Sequence, residues 1–408
     1  MTPAAPKGTA PGAAVRPVLV LGKDVRALLR AGHPWIYDRA LRLPREPIAP
    51  GTLVEVCAET ERGEPLAVGY YDPTSPIRVR VLDRNVTVAI DDVWVAERAR
   101  HAAAFRASDP ALAETDAVRA IHGEGDYMPG LVLDVYAGTG VAVFDGAAAA
   151  AVWQPRLGAV IEGLRAGGIS VTRLWGRTRG EGGKLLAGDA PPEAVTIHEH
   201  GARYEVDVRR GQKTGFFLDQ RHNRRMVRDL AADAAVLNLF SYTGGFSVQA
   251  ALGGARRVTS VDVAAPAVEA ARRNFALSGL AVGDHEFMVA DAFAALEDAV
   301  AEQRCWDLVV VDPPSFAPSE KARPRALAAY RRLNGMALRT VAPGGLLVTA
   351  SCSSHVTGDD LLAVIGLAAA DAHRRVRLRT ERGAASDHPV RAGFPEGRYL
   401  KLLVVHAE

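Results

Sequence analysis

Two residues of this sequence have the types and positions that covalent chemistry requires. Cys352, flanked by two serines, follows an apolar run at residues 346–350, and Asp312 follows a similar run at residues 309–311. Ligands of parallel sheets bind outside the carboxyl ends of the strands, so we predict that both side chains face one pocket. A thiolate can add to carbon 6 of a pyrimidine and make carbon 5 nucleophilic enough to accept a methyl group. We expect nearby basic side chains or a helix N-terminus to favour the thiolate of Cys352.

A glycine pair marks the ligand-binding end of another strand. The apolar pattern at residues 235–239 runs into Gly244 and Gly245, and a helical pattern follows. Asp262 ends the next strand pattern about 20 residues further on, where such folds bind the hydroxyl pair of a ribose. The Gly-x-Gly-x-x-Gly fingerprint of dinucleotide dehydrogenases is missing from this loop. The pattern therefore favours S-adenosylmethionine over a nicotinamide cofactor.

The ends of the third and fourth strand patterns carry carboxylates as well. Asp291 is placed to accept a hydrogen bond from an adenine amino group, and a helix N-cap is an equally good interpretation. Asp312 is followed by Pro313 and Pro314, which fix the backbone and hold the carboxylate over the pocket. Methyltransferases of exocyclic amines use a related motif with an aromatic residue directly after the second proline. Ser315 stands there instead, which argues against that chemistry.

Composition limits the class of protein. The 408 residues predict two or three domains, and 48% hydrophobic content with a mean hydropathy of +0.02 is typical of a soluble globular chain without a membrane span. Residues 1–14 read as a disordered tail. Cys57, Cys305 and Cys352 are few, distant and odd in number, which indicates a reducing, cytoplasmic location. We expect no metal, because no Cys/His spacing fits a zinc site.

The net charge is only +2, but one stretch of the chain is strongly basic. The basic side chains of this run are Arg203, Arg209, Arg210, Lys213, Arg221, Arg224, Arg225 and Arg228. Such a run can meet the phosphates of a nucleic acid. A solvated helix face is the alternative, and charge alone favours it.

The order of strand and helix patterns predicts three domains. Residues 15–90 carry short strand patterns at 18–21, 52–56, 66–71 and 77–82 and a helix at 25–31. Residues 91–204 combine helices at 92–108 and 148–166 with strands at 118–122, 131–136, 141–145, 170–175, 194–198 and 204–208, and a loop at 176–192. Residues 205–408 begin with a helix at 217–232 and then alternate strands at 235–239, 257–262, 285–290, 306–311 and 345–350 with helices. Strand patterns at 376–380 and 398–405 close the chain, and the whole predicts an α/β protein with a doubly wound sheet.

The chain resembles the bacterial large-subunit ribosomal RNA cytosine-C5 methyltransferases that carry an N-terminal PUA domain. The resemblance runs from about residue 15 to the C-terminus. Its most specific motifs are Gly-Gln-Lys-Thr-Gly-Phe-Phe-Leu-Asp-Gln-Arg at 211–221, Asn-Leu-Phe-Ser-Tyr-Thr-Gly-Gly-Phe at 238–246, Asp-Pro-Pro-Ser-Phe at 312–316 and Ser-Cys-Ser at 351–353. Further matches are His-Pro-Trp-Ile at 33–36, His-Gly-Glu-Gly-Asp at 122–126, Pro-Gly at 129–130, Asp-His-Pro at 387–389 and Pro-Glu-Gly-Arg-Tyr-Leu-Lys at 395–401.

The resemblance implies roles for named residues. Those expected to bind S-adenosylmethionine are Lys213, Thr214, Phe216, Asp219, Gln220, Arg221, Phe240, Ser241, Tyr242, Thr243, Gly244, Asp262, Val263, Asp291, Ala292 and Asp312. Pro313, Pro314 and Phe316 are expected to meet the RNA, and the basic run described above adds Arg209, Arg210 and Arg225 to that expectation. Cys352 is the expected nucleophile, and Asp312 is expected to contact the target cytosine.

The resemblance also implies an architecture and a reaction. A PUA-like β-barrel and a middle α+β domain that positions RNA would precede a Rossmann-like methyltransferase domain. The enzyme would methylate carbon 5 of a cytosine in 23S ribosomal RNA, free or in a large-subunit assembly intermediate, as a monomer or a homodimer. Many RNA cytosine-C5 methyltransferases carry a second cysteine after the proline of the fourth-strand motif, and none stands here, so the group that removes the C5 proton is open. Three alternatives stay open: an exocyclic-amine methyltransferase of guanine or adenine, a small-molecule methyltransferase, and a non-catalytic RNA-binding protein.

Overall fold

The computed structural model describes residues 16–42, 44, 46–58, 60, 63–177, 183–317 and 319–408. The predicted tail at residues 1–14 lies outside them. No helix in these ranges has the length and apolar character needed to cross a membrane.

The N-terminal domain is a five-stranded sheet that curls toward a barrel. Its elements are β1 (Val18–Val20), α1 (Arg26–Ala31), β2 (Trp35–Tyr37), β3 (Leu53–Cys57), β4 (Pro65–Tyr71) and β5 (Ile77–Asp83). The strand order is β1-β3-β4-β5-β2. An antiparallel bridge between Leu21 and Leu41 brings the chain after β2 back to β1, so the two edge strands approach each other. The four predicted strands are confirmed, and β2 is an additional strand within the His-Pro-Trp-Ile motif.

The middle domain packs helices against a second five-stranded sheet. Its elements are α2 (Asp92–Ala107), β6 (Ala117–His122), β7 (Leu131–Tyr136), β8 (Thr139–Phe144), α3 (Gly146–Trp153), α4 (Leu157–Ala166), β9 (Arg173–Arg177) and β10 (Lys184–Ala187). The helix predicted at 148–166 is two helices, because Pro155 lies in a 3-10 turn between them and cannot donate a helical hydrogen bond. The prediction of a loop throughout 176–192 was wrong at β10, which pairs with β9 at the sheet edge.

A hairpin of β11 (Val195–Glu199) and β12 (Ala202–Val206) leads into the C-terminal domain. Its strands alternate strictly, with Val195, Ile197 and Glu199 buried and the residues between them exposed. The apolar face joins the core of the C-terminal domain. The predicted boundary between residues 204 and 205 falls inside β12, and we propose to place it before the hairpin instead.

The C-terminal domain is a seven-stranded sheet with helices on both faces. Its elements are α5 (Arg221–Leu230), β13 (Ala235–Leu239), α6 (Gly245–Leu252), β14 (Arg257–Asp262), α7 (Ala265–Leu277), β15 (Glu286–Val289), α8 (Ala292–Ala301), β16 (Trp306–Val311), α9 (Arg323–Thr340), β17 (Val341–Ser351), α10 (Gly358–Asp371), β18 (Val376–Arg382) and β19 (Lys401–Ala407). The helix predicted at 217–232 begins only at Arg221, after a 3-10 turn.

The strand order of this sheet, β15-β14-β13-β16-β17-β19-β18, decides where a ligand can bind. The first five strands are parallel, and β19 runs antiparallel to β17. The chain moves outward from β13 to β15 and then returns to β16 on the other side of β13. Such a reversal opens a crevice at the carboxyl ends of the strands. The loops that follow β13 to β17 therefore converge on one edge.

Candidate active site

A cavity of about 390 Å³ opens at this edge, within the range of small-molecule sites. Most of the predicted site residues line it. They are Lys213, Phe216, Asp219, Gln220, Phe240, Ser241, Tyr242, Thr243, Asp262, Val263, Asp291, Ala292, Asp312, Pro313, Pro314 and Cys352. Loops from five strands and the segment before α5 thus form one site.

The loop after β13 has an unusual backbone. Phe240 and Tyr242 have positive φ angles of 57° and 47°, which L-residues seldom adopt. Gly244, at φ 80°, does not line the cavity but precedes α6, where an added Cβ would lie 2.9 Å from the Cβ of Ala271. Only glycine lets the loop turn here against α7. Strained backbone of this kind concentrates at ligand sites.

Asp262 is held rigidly at the end of β14. One carboxylate oxygen accepts a hydrogen bond from Tyr242 N at 2.8 Å, and the other accepts one from Ala264 N at 2.9 Å. Each carboxylate oxygen has a second lone pair. The carboxylate can therefore hold the loop after β13 and accept hydrogen bonds from a ligand diol together.

Asp291 is the N-cap residue of α8, which is one of its two predicted roles. Its Oδ1 accepts hydrogen bonds from Phe293 N and Ala294 N at 2.9 and 3.1 Å, so it caps the N-terminus of α8. It also lines the cavity. The cap does not exclude a ligand contact.

Three polar atoms of cavity-lining residues are buried without a partner among the described residues. They are Ser241 Oγ, Thr243 Oγ1 and Asp219 Oδ1. A buried polar group without a hydrogen bond is costly, so these atoms indicate a polar ligand. Together with the carboxylate of Asp262 and the size of the cavity, they fit S-adenosylmethionine.

Asp219, in the segment before α5, also lines the cavity. Its Oδ2 accepts hydrogen bonds from Lys213 Nζ at 2.6 Å and from the Tyr399 hydroxyl at 2.7 Å. Burial, the largest single influence, raises the pKa of Asp219, but the charges of Lys213 and His388 and the hydrogen bonds from Lys213 and Tyr399 together outweigh burial and lower it. Lys213 also lies over the ring of Phe217, with Nζ 4.3 Å from the centroid. Asp219 is therefore a fixed negative charge.

Asp312 is the carboxylate whose charge is disfavoured. Burial, and then the negative charge of Asp219, raise its pKa to about 6. Gln220 Nε2 donates to Asp312 Oδ2 at 2.9 Å, and Asn223 Nδ2 donates to Gln220 Oε1 at 2.6 Å, which orients the amide. Asp312 can exchange a proton near neutral pH, as a group that contacts a reacting base needs.

Cys352 follows β17 and is half-buried in the same cavity. Burial, and then the negative charge of Asp312, raise the pKa of its thiol, although Lys213 opposes them. Lys213 is thus a nearby basic side chain that favours the thiolate, as expected, but burial and the carboxylates outweigh it. The Tyr330 hydroxyl donates to Ser351 Oγ at 2.9 Å, and the hydroxyls of Ser315 and Ser353 are hydrogen-bonded at 2.9 Å. These contacts join the turns that carry Asp312 and Cys352.

Three other predicted residues lie outside the cavity and have structural contacts. Thr214 is buried and hydrogen-bonded to the Tyr136 hydroxyl at 2.7 Å. Arg221 is fully buried; it donates to Asp387 Oδ2 at 2.8 Å and to the carbonyl oxygen of Ala117 at 2.6 Å. Phe316 packs on the ring of Tyr330, with centroids 4.9 Å apart. These three contacts stabilise the domain junction and the turn after β16.

The basic run does not form one surface. Arg224 is buried and makes a bidentate ion pair with Glu199 at 2.7 and 2.6 Å. Arg225 pairs with Glu114 at 3.2 Å and with Asp229 at 3.4 Å. Arg209 donates to the carbonyl oxygen of Pro191 and lies over the ring of Trp175. Arg210 is exposed, and its side chain makes no ion pair within the described ranges. Of the three arginines predicted to meet RNA, only Arg210 has an exposed side chain without such a contact among the described residues.

Nine cavity residues were missing from the prediction. They are Gln212, Phe217, Arg224, Gly245, Phe246, Val261, Ala290, Ser315 and Leu400. Eight of them lie inside a recognised motif or next to a residue predicted to bind the cofactor, so the motif boundaries were the available signal. The exception is Arg224, which belongs to the basic run, and a charge pattern does not show that a residue reaches a ligand site.

Comparison with known proteins agrees with this geometry. A family model for S-adenosylmethionine-dependent methyltransferases matches residues 173–390, and a model for PUA-like domains matches residues 19–84. The chain is 39% identical to a ribosomal RNA large subunit methyltransferase of Deinococcus radiodurans, covering 99% of this chain and 100% of that protein. It is 35% identical to a ribosomal RNA large subunit methyltransferase I of Klebsiella pneumoniae, covering 94% and 97%.

Solved structures share the fold. A candidate S-adenosylmethionine-dependent methyltransferase of Streptococcus mutans has a TM-score of 0.82 and 23% identity, covering 96% of this chain and 100% of that one. A candidate methyltransferase in complex with SAH has a TM-score of 0.83 and the same identity and coverage. The predicted fold class and the predicted cofactor are confirmed. The chain, with its PUA-like N-terminal domain, belongs to the family of S-adenosylmethionine-dependent methyltransferases.

Proposed function

We propose that the protein methylates carbon 5 of a cytosine in 23S ribosomal RNA through a covalent bond between Cys352 and carbon 6. The relatives that match almost the whole chain are named as large-subunit ribosomal RNA methyltransferases, which supports the substrate. The observation that carries the reaction is that Cys352 and Asp312 line one cavity, at the ends of adjacent strands. A methyltransferase of exocyclic amines has no use for that thiol.

The residues of the cavity have separate tasks in this proposal. Asp262 binds the ribose hydroxyls, Asp291 the adenine amino group, and the loop after β13 the rest of S-adenosylmethionine, which supplies an electrophilic methyl group. Lys213, whose ammonium is hydrogen-bonded to Asp219, lines the cavity as well. The turn before α6 depends on the backbone conformation of Gly244, and Gly244 has no side chain that could contact the cofactor.

Cys352 and Asp312 act on the base. The thiolate forms a bond to carbon 6, and the electrons of the C5–C6 double bond move toward the ring nitrogen and make carbon 5 nucleophilic. Asp312, with its pKa near 6, hydrogen-bonds the ring nitrogen or the amine and offsets this charge. After carbon 5 has gained its methyl group, a base removes the C5 proton, the C6–S bond breaks, and the thiolate leaves.

The target base must leave its stack to reach the cavity, so single-stranded or locally opened RNA is the expected substrate. The PUA-like and middle domains would hold that RNA. Arg210 is two residues from cavity-lining Gln212 and is exposed, so it is the arginine we assign to phosphate binding. Free 23S RNA and an assembly intermediate both satisfy these requirements.

RNA that contains 5-fluorocytidine at the target tests the reaction, because fluorine cannot leave carbon 5 as a proton does. The wild-type protein should form a complex with it that survives a denaturing gel, and Cys352→Ala should neither form it nor methylate RNA. Cys305→Ala is the matched control, since Cys305 is exposed and outside the cavity; it should trap RNA like the wild type. Methylation by Cys352→Ala, or a methyl group on an exocyclic nitrogen by nucleoside mass spectrometry, would contradict the proposal.

A further inference from the structure

Lys401 is a buried cation that the reaction described above does not use. It begins β19 opposite Ser351, the last residue of β17, and only 6% of its surface is exposed. Its Nζ donates to the carbonyl oxygen of Ser353 at 2.6 Å and to that of Tyr399 at 2.9 Å. The ammonium thus links the turn that carries Cys352 to the segment whose tyrosine holds Asp219.

The surroundings of this ammonium contain little negative charge. Lys401 forms no ion pair with a carboxylate in the described part of the chain. Burial lowers its pKa to about 8, and the two groups that oppose this are Cys352 and then Asp360. A buried cation without a paired carboxylate is costly to maintain, so its position beside the nucleophile requires an explanation.

The charges that face Cys352 come from several elements. Asp312 and Asp219 disfavour the thiolate, and Lys213, across the cavity, favours it. Lys401 lies on the β19 side, and its interaction with Cys352 is reciprocal: a thiolate raises the pKa of the lysine, and the ammonium stabilises the thiolate. Tyr330 also faces this turn as a neutral hydrogen-bond donor.

We propose that Lys401 is a positioning residue for the nucleophile: it fixes the turn after β17 through two carbonyl oxygens and supplies the positive charge that stabilises the Cys352 thiolate. This role of Lys401 rests on the proposed function, because the proposed reaction is what requires a thiolate at Cys352. The charge on the thiol can nevertheless be measured without methylation. The third N–H of the ammonium remains for a further contact, since a lysine has three donors and two are engaged.

The rate at which iodoacetamide alkylates Cys352, followed by peptide mass spectrometry across pH, tests the charge directly. Lys401→Gln keeps two N–H donors for the two carbonyls but removes the charge; Lys401→Arg keeps the charge. In the full-length protein, Lys401→Gln should lower the thiolate fraction of Cys352 below about pH 8, where the lysine carries its charge, and slow alkylation there about tenfold. Lys401→Arg should stay close to the wild type, and the exposed Cys305 serves as the internal standard in every sample.

A purely structural lysine would change stability without moving this profile. An unchanged alkylation rate for Cys352 below about pH 8 in folded Lys401→Gln would overturn the proposal, as would an equal slowing in Lys401→Arg. Lys401→Met is the second neutral variant if the glutamine variant does not fold. Failure of the fluorocytidine trap in the wild type would refute the proposed reaction while leaving the alkylation result valid, so the two failures are distinguishable.

Discussion

Replacing Asp262 by alanine tests the cofactor site most directly. The carboxylate accepts hydrogen bonds from two backbone amides, Tyr242 N and Ala264 N, and by our proposal from the ribose hydroxyls. A hydrogen bond to a charged group is worth about 1.5–3 kcal/mol. One ligand hydroxyl left unpaired should therefore weaken binding about tenfold to a hundredfold, and two should weaken it further. Asp262→Asn keeps one acceptor oxygen and should fall between the wild type and alanine.

Isothermal titration of S-adenosylmethionine is the assay, and the stability of the variant is the main confounding effect. Losing the two amide contacts also loosens the loop after β13. Asp91→Ala is a matched control, because Asp91 accepts a hydrogen bond from Trp94 N at 2.9 Å at the start of α2, away from the cavity. That variant should lose about 1 kcal/mol of stability and keep its affinity. A folded Asp262→Ala protein whose affinity stays within about twofold of the wild type would refute the assignment.

Two further predictions concern RNA binding and pH. Arg210→Gln should weaken RNA binding and reduce the slope of log affinity against log salt by about 0.7. Arg225→Gln should leave the slope unchanged, because Arg225 is already paired with two carboxylates. Equal effects of the two substitutions in a filter-binding assay would contradict the separation of the two arginines. The pKa of Asp312 is raised from 3.8 to about 6, so between these pH values the folded protein binds a proton that the unfolded chain releases, and the free energy of unfolding falls as pH rises through this window. Asp312→Asn cannot ionise, so its Tm relative to the wild type should be higher at pH 7 than at pH 4, and a constant difference in calorimetry would argue against the shift.

Local patterns predicted the parallel half of the C-terminal sheet well. The strands β13, β14 and β16 have nearly the predicted bounds, because each is a short segment rich in β-branched or other apolar residues that is followed by a loop. The convergence of these ends follows from the topology of such sheets and needs no knowledge of side-chain contacts. Much of the lining of the cavity could therefore be predicted from sequence.

The basic run shows where sequence reasoning failed. Arg221 and Arg224 look like surface charges, yet both are buried beside Glu199, and Arg221 also pairs with Asp387. These acidic partners lie 25 and 166 positions away from the arginines that bind them. Burial of a charge depends on such distant partners, and local composition does not reveal them. For the same reason, Lys401 could not be connected to Cys352 before the β17–β19 pairing was known.

The place of β19 in the sheet bears on how the enzyme is made. β19 lies between β17 and β18 although it follows both in the chain, so β17 has only β16 beside it and β18 has no partner strand until β19 has been synthesised. Domains form in the order of synthesis, and the N-terminal and middle domains can fold while the last sheet is still incomplete. Until residue 401 has emerged, β17 presents an open edge, and the turn that carries Cys352 lacks the hydrogen bond from Lys401 Nζ to the carbonyl oxygen of Ser353. The nascent chain thus carries Cys352 in an unfinished turn, and the same late strand that joins β17 to β18 also holds that turn in place.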